Sequence, residues 1–480
     1  MRSLGLGAQL IQGARLQLVA TILALGSSLV SQLLIARTFG LSGLGEYSAV
    51  GAVLSLAMSI SASGIPPTAS RRVGVELSGG ASTAVRRVAN SGWLLMAITS
   101  AFVAILALLL WDRLADAMQL EDPLPPTILA IAMPFGAMIA YANQIFQATL
   151  RTRLAAVVLL VEPATLLGLS VAAYAFLAIR PAEIAIAGDI AAGFVAILAL
   201  AATGHRPIPS RVEMGELLRD ARALVPSAYG RSLLRQTDRF IVSASLGQAA
   251  LGAYSAAAAL ATIGMRLIDP LGRLLLPAYG RFASGSSGRL ERLRSVHVRL
   301  WSAYAIVLMG IPLAAADGIV AQLYGPDAGA AAEPLRILAV GLVPGVVAGV
   351  LYVAMIGAGQ FREALAVTWL SVAVQLLLLG ILPGFLALPG AAAARAAALT
   401  AAALGYGLFA VGGGFARRPL NRAIVAWIAA AAFAIAVSFL PLAWPARASL
   451  GAAAALLVCV IVLFGPEERT ILVRAATFRP

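Results

Sequence analysis

Apolar runs of about 20 residues follow one another along almost the whole chain, and they leave few folds open to it. A helix of that length crosses a hydrocarbon core of about 30 Å, where lipid offers no partners to unpaired backbone groups. The 480 residues are 61% hydrophobic, and the mean hydropathy of +0.92 lies well above that of soluble domains. The sequence therefore predicts an all-α integral membrane protein.

About fourteen transmembrane helices are predicted, and they are called spans 1 to 14 in chain order. They cover residues 15–36, 45–65, 92–111, 124–147, 155–179, 182–203, 223–246, 250–271, 298–320, 334–357, 364–388, 391–415, 423–443 and 449–465. Span 1 is too long for the core of a signal peptide and is expected to remain in the protein.

A short corner motif occurs twice. "GLSGLGEYSAV" begins at Gly40 between spans 1 and 2, and "GQAALGAYSAA" begins 207 residues later, at Gly247, between spans 7 and 8. A second pair, "PPTILAIAMP" from Pro125 and "PLRILAVGLVP" from Pro334, leads into spans 4 and 10 at nearly the same offset. Because six crossings return a chain to the same side, the sequence predicts two parallel six-helix repeats around a central cavity, plus two extra C-terminal helices.

These repeats predict the domain boundaries. Residues 1–203 form the N-terminal six-helix lobe, and residues 204–222 form a polar, cytoplasmic inter-lobe linker. Residues 223–416 form the C-terminal six-helix lobe, and residues 417–480 form two additional helices with a cytoplasmic tail.

Arginine placement predicts the orientation, since cytoplasmic loops retain basic residues. Arginines fill alternate loops, such as residues 71–87 and 281–294, whereas the loops between carry acids such as Asp112 and Asp317. Both termini are expected in the cytoplasm. The net charge of +14 does not indicate nucleic-acid binding, because the arginines are dispersed between apolar runs and not gathered on a polar domain.

Residues that bind metals or catalyse reactions are scarce. The single cysteine, Cys459, excludes an intrachain disulfide and a cysteine metal site, and there are two histidines, His205 and His297. No metal or other cofactor is expected. Short outer loops, and histidines confined to predicted cytoplasmic segments, argue against a membrane enzyme such as a glycan polymerase or ligase.

Span 7 carries four charged residues: Arg231, Arg235, Asp238 and Arg239. A charge near the bilayer centre costs at least about 2.5 to 3.5 kcal/mol, so these side chains should face a cavity or a partner. Spacings of four and three place Arg231, Arg235 and Asp238 on one face with surplus positive charge, which pyrophosphate oxygens would satisfy. Arg239 is a further candidate ligand. The alternative is a structural salt bridge from Asp238 to Arg235 or Arg239.

Other charged residues are additional candidates. Arg266, Arg15 and Arg71 could bind the same anionic headgroup, although snorkelling and ordinary cytoplasmic arginines explain them as well. Glu162 and Asp189, in spans 5 and 6, could act with Asp238 in cation coupling or neutralise the arginines.

Three segments resemble a known family. "IARTFGLSGLGEYSAVGAVLSLAM", "RQTDRFIVSASLGQAALGAYSAA" and "LYGPDAGAAAEPLRILAVG" are similar to bacterial O-antigen and exopolysaccharide flippases, over about residues 9–414. These belong to the multidrug, oligosaccharidyl-lipid and polysaccharide exporter superfamily, together with the lipid II flippases. The resemblance implies two six-helix lobes around a central cavity and a multi-pass transporter of the bacterial inner membrane, not an enzyme.

The resemblance also implies a substrate and a mechanism. A polyprenyl-pyrophosphate-linked oligosaccharide would move from the cytoplasmic to the outer leaflet by alternating access, for polysaccharide or lipopolysaccharide biosynthesis. Expected partners are this substrate, membrane lipid and other polysaccharide assembly proteins. Asp238 resembles the acid of the family's helix 7 pattern, which suggests coupling to an H⁺ or Na⁺ gradient. Two alternatives remain: a cation-coupled multidrug exporter of the same fold, and a lipid II flippase, which the fourteen-helix count resembles.

Overall fold

The computed structural model describes residues 6–62, 64–78, 82–120, 125–176, 179–222, 224–283, 287–412 and 417–464, with side chains omitted at 6–11, 14, 267–278, 280–283, 287–290 and 411–412. Every regular element in these ranges is helical. The predicted all-α class is therefore confirmed.

The described residues form fourteen α-helices and one short 3₁₀ helix at Pro326–Ala331. The α-helices are α1 Leu6–Ala62, α2 Ile65–Ser78, α3 Ser82–Ala117, α4 Pro126–Ala148, α5 Thr152–Ala175, α6 Pro181–Ala202, α7 Arg211–Ala221, α8 Val225–Leu246, α9 Gln248–Ala283, α10 Ser287–Tyr324, α11 Ala332–Gly357, α12 Phe361–Gly412, α13 Arg417–Ser438 and α14 Trp444–Val462.

These helices do not match the predicted spans one to one. Helix α1 covers spans 1 and 2, and its backbone leaves the helical region at Gly40 (φ 70°, ψ −171°), within the first corner motif. Helix α12 covers spans 11 and 12 and has a similar break at Ala387 (φ 50°, ψ −130°). The two additional helices, α2 and α7, are short and polar, and the apolar pattern did not predict them.

Ten of the described helices are long and apolar enough to cross a membrane. Because α1 and α12 each cover two predicted spans, these ten account for twelve of the fourteen. Helices α8 and α9 are not among them. Helix α8 forms where span 7 is predicted, but its four charged residues make it less apolar than the ten helices counted above.

The chain packs as two compact units, residues 1–255 and 256–480. The first has a core formed by α2 to α7, and its largest buried side chains include Tyr141, Phe146 and Met96. The second has two core clusters, one where α13 and α14 pack on α10 and α11 and one between α10, α11 and α12. The predicted lobe boundaries at residues 203 and 223 remain predictions.

Candidate functional site

Helix α8 buries small and polar residues, which is unusual for a helix between apolar spans. It starts at Val225 with a proline in its first turn and ends at Leu246, and the next residue, Gly247, has a φ of 83°. Its buried residues are Ser227, Gly230, Ser232, Asp238, Val242 and Ser243. Within the first unit it packs against α1. The helix is held by close packing and hydrogen bonds and less by burial of large apolar side chains.

The arginines of α8 have different surroundings along the helix. Arg231 and Arg235 are exposed and lie about 6 Å apart along the axis, whereas Arg239 is half-buried. The Nη2 of Arg235 donates to Ser232 Oγ at 3.3 Å, and the Nη1 of Arg239 donates to Gln236 Oε1 at 3.4 Å. Two exposed arginines one turn apart offer the bidentate donors that pair with phosphate oxygens.

Asp238 is fully buried and forms part of the packing around the second corner motif. Its Oδ2 accepts a hydrogen bond from the Tyr254 hydroxyl at 2.6 Å, and its Oδ1 accepts one from the Arg239 backbone N–H at 3.0 Å. The spacing predicted one face shared with Arg231 and Arg235, but the environments differ. Residues seven apart are close around a helix but about 10 Å apart along it, and Asp238 lies beside the corner.

The two corner motifs pack against each other through their glycines. A Cβ on Gly45 would lie 1.9 Å from the carbonyl oxygen of Gln248, and a Cβ on Gly252 would lie 1.8 Å from the carbonyl oxygen of Leu41. The offset of 207 relates Gly45 to Gly252 and Leu41 to Gln248, so each contact is the repeat of the other. Such reciprocal contacts are those of an isologous, two-fold interface. The duplicated sequence thus corresponds to a duplicated, mutual contact.

Glu162 and Asp189 are brought together on α5 and α6. Asp189 is buried, and the charge of Glu162 acts on its carboxylate. Glu162 also lies against α6, because a Cβ on Gly188 would be 3.6 Å from Glu162 Cγ. The structure therefore places two of the predicted coupling residues beside each other, which their separation of 27 positions in the sequence did not indicate.

The remaining predicted ligands lie on other helices. Arg15 on α1 and Arg266 on α9 are exposed. Arg71 on α2 is also exposed, and its Nη2 lies 3.1 Å from Asp220 Oδ2 on α7. The headgroup-binding role of all three stays a prediction.

Sequence reasoning missed the polar contact between α2 and α7. Arg72 lies 3.0 Å from Asp220 and 3.9 Å from Glu213, and its Nη1 donates a hydrogen bond to Glu216. This hydrogen bond, with the charge of Arg72, lowers the pKa of Glu216. The signal available in the sequence was an acid every three or four residues, at 213, 216 and 220, which is one face of a helix.

His205, just beyond α6, is also buried, and the sequence assigned no role to it. Burial, and then the charges of Arg151 and Arg86, lower its pKa. Among the residues that the structure describes, no group of three His, Cys, Asp or Glu side chains could hold a metal ion.

The apolar helices, with a charged helix among them and a duplicated corner, define a multi-pass, all-helical membrane protein. Solved structures share this fold. The inward closed conformation of the lipid II flippase MurJ has a TM-score of 0.69 at 12% identity, covering 96% of this chain and 99% of its own. An inward-facing multidrug resistance transporter of the MATE family and MOP superfamily has a TM-score of 0.64 at 16% identity, covering 83% of this chain and 98% of its own.

A MOP superfamily transporter from Pyrococcus furiosus, described as having a binding pocket of reverse polarity, has a TM-score of 0.57 at 14% identity, covering 84% of this chain and 95% of its own. No curated protein matches the sequence. A family profile for polysaccharide biosynthesis proteins matches residues 10–283, more than half of the chain. The chain belongs to this family, and the resemblance drawn from the corner motifs is confirmed.

Proposed function

We propose that this protein flips a polyprenyl-pyrophosphate-linked oligosaccharide from the cytoplasmic to the outer leaflet of the bacterial inner membrane, by alternating access. The observation that carries the proposal is the pair of exposed guanidinium groups, Arg231 and Arg235, one turn apart on α8. The family supplies the biosynthetic context, and the fold is that of a flippase and of exporters.

The charge of α8 favours an anionic substrate. An arginine within the bilayer is costly unless it faces water or an anion, and its planar fork donates two parallel hydrogen bonds to phosphate oxygens. Arg231 and Arg235 therefore suit a pyrophosphate better than the cationic substrate of a multidrug exporter. A cationic substrate would be attracted by carboxylates on this helix, and its one carboxylate, Asp238, is buried against Tyr254.

The test is a flipping assay with the purified protein in vesicles. A fluorescent polyprenyl-pyrophosphate glycan on the accessible leaflet should become protected from a reducing quencher faster than in protein-free vesicles. A cationic dye tested in the same vesicles should show no transport. Dye transport without glycan flipping would instead support the multidrug alternative.

A lipid II flippase is the second candidate, because the fold match to MurJ extends over almost the entire length of both chains. Lipid II shares the polyprenyl pyrophosphate and differs in its sugars and peptide. In the same assay, the proposed function predicts faster flipping of an oligosaccharide without a peptide. Preference for lipid II would assign the protein to peptidoglycan synthesis.

We further propose that Glu162 and Asp189 couple transport to the proton gradient. Glu162 lies against α6 next to the buried Asp189, and two neighbouring carboxylates in such a site can hold one proton between them. Glu162→Gln and Asp189→Asn should abolish acceleration of flipping by an imposed pH gradient. Asp112→Asn, at an exposed carboxylate on α3, is the matched control. A sodium gradient that drives the wild type equally would contradict proton coupling.

A further inference from the structure

The short helix α7 has two faces of opposite charge. Its acids, Glu213, Glu216 and Asp220, are only partly exposed and pair with the arginines of α2. Leu217 and Ala221 are buried in the core of the first unit. These contacts pack α7 against the first unit. All three acids of the helix lie on this side, so the opposite side carries none.

The opposite side is basic and apolar. Arg211, Val212, Leu218, Arg219 and Arg222 are exposed, and they are called the basic face of α7. Val212 is 71% exposed and Leu218 is 49% exposed, which is high for apolar side chains on a short helix. Exposed apolar side chains can insert at the boundary of headgroups and acyl chains, and arginines beside them attract anionic headgroups, so this face suits a membrane interface.

The position of α7 in the chain supports this reading. It starts nine residues after the end of α6 at Ala202 and ends four residues before the start of α8 at Val225. Both ends are therefore held near the membrane boundary, on the side that arginine placement predicts to be cytoplasmic. The inner leaflet carries the anionic lipids that attract juxtamembrane arginines.

We infer that the basic face of α7 binds the headgroups of anionic phospholipids in the inner leaflet, with Val212 and Leu218 inserted among the upper acyl carbons. The ion pairs of Arg72 hold the helix in the orientation that presents this face. The inference goes beyond the proposed transport activity, because it concerns bulk membrane lipid and not the transported molecule.

The experiment places an environment-sensitive fluorophore at Val212→Cys in the full-length protein, with Cys459→Ala to remove the native thiol. The labelled protein is placed as single copies in nanodiscs of phosphatidylcholine, with or without phosphatidylglycerol. Lipids that carry a quencher near the headgroup should quench the probe, at least about twofold more strongly when phosphatidylglycerol is present. The emission should also shift to the blue.

Two triple variants separate a local site from general electrostatics. Replacement of Arg211, Arg219 and Arg222 by Gln should abolish the dependence on phosphatidylglycerol. Replacement of Arg417, Arg418 and Arg422, three exposed arginines on α13, removes the same net charge and should leave the dependence unchanged. All six positions are exposed, so both variants should fold, and yield after size-exclusion chromatography checks this.

Several outcomes would overturn the inference. A probe that stays in water in both lipids would show that the face does not meet the membrane. Quenching that appears only with added polyprenyl pyrophosphate would make the face a substrate site. A blue shift in detergent that grows with protein concentration, without lipid quenching, would assign the face to a second copy of the chain. An equal loss in both triple variants would reduce the effect to net charge.

Discussion

The first corner motif, Gly40–Val50, and the second, residues 247–257, share backbone features at matching positions but differ in the charged residues around them. Gly40 and Gly247 both have positive φ with extended ψ, which is a conformation that essentially only glycine adopts. Leu44 and Leu251 are both fully buried. Gly45 and Gly252 make the same backbone contact with the opposite corner.

The charges around the corners are not repeated. Asp238 bonds to Tyr254 in the second corner, whereas Ser31 stands at the matching position of the first repeat and donates to Ser27 O of its own helix. Glu46 of the first corner pairs with Arg180 at 3.6 Å, and its counterpart is Ala253. The comparison teaches that the two copies share their glycine scaffold and that each carries its own charged groups.

The largest effect is expected at the glycine contacts. Gly45→Val and Gly252→Val should each destabilise the protein by at least about 3 kcal/mol, because the new Cβ overlaps a backbone carbonyl that cannot move aside. The two losses should be equal within error, since the contacts are reciprocal. Thermal unfolding in detergent measures them. Gly51→Ala, in the same helix with open space at its Cβ, is the control and should not destabilise. Unequal losses would break the equivalence of the corners.

The Tyr254 hydrogen bond should have the next largest effect. Tyr254→Phe leaves the buried Asp238 carboxylate with one donor fewer, which costs about 1.5 to 3 kcal/mol. Ser31→Ala, at the position that matches Asp238, should cost less than about 1 kcal/mol, because that hydroxyl bonds only to its own helix. Chemical unfolding of the two variants compares them. Equal costs would mean that polar groups are as important in the first corner as in the second.

The positive φ of the corner glycines predicts a smaller, symmetric effect. Gly40→Ala and Gly247→Ala should each cost about 1 to 3 kcal/mol from backbone strain, with no steric part at Gly40, where the space is open. The shift in unfolding temperature measures the cost. A neutral result at one position only would show that its corner can relax into another backbone conformation.

The smallest effect is expected at the ion pair that is specific to the first corner. Glu46→Ala should change stability by about 0.2 to 1 kcal/mol, since both side chains of the Glu46–Arg180 pair are partly solvent-exposed. Salt titration of the wild type and the variant should make their stabilities converge. A loss above about 2 kcal/mol would give this pair a structural role that the second corner lacks.

Local patterns predicted the parts of the fold that depend on local sequence. Apolar runs predicted the spans, and the repeated corner motif predicted the connections between spans 1 and 2 and between spans 7 and 8. The same patterns missed α7, whose position depends on Arg72 of another helix. They placed Asp238 on the face of Arg231 and Arg235, but helical spacing carries no information on its burial or on its hydrogen bond with Tyr254. The contact between the corners required the three-dimensional structure, although the duplicated glycines were visible.

Flipping by arginine variants of α8 tests the proposed substrate site most directly. Arg231→Ala and Arg235→Ala should each reduce the flipping of a fluorescent polyprenyl-pyrophosphate glycan by roughly tenfold or more, in line with the loss of a hydrogen bond to a charged group, about 1.5 to 3 kcal/mol. Lysine at either position should restore only part of the rate, since a point charge cannot replace a bidentate fork. Arg113→Ala, at an exposed arginine on α3, is the control. The account predicts these losses with folded yield and unfolding temperature near wild type, whereas wild-type flipping by both alanine variants would contradict it.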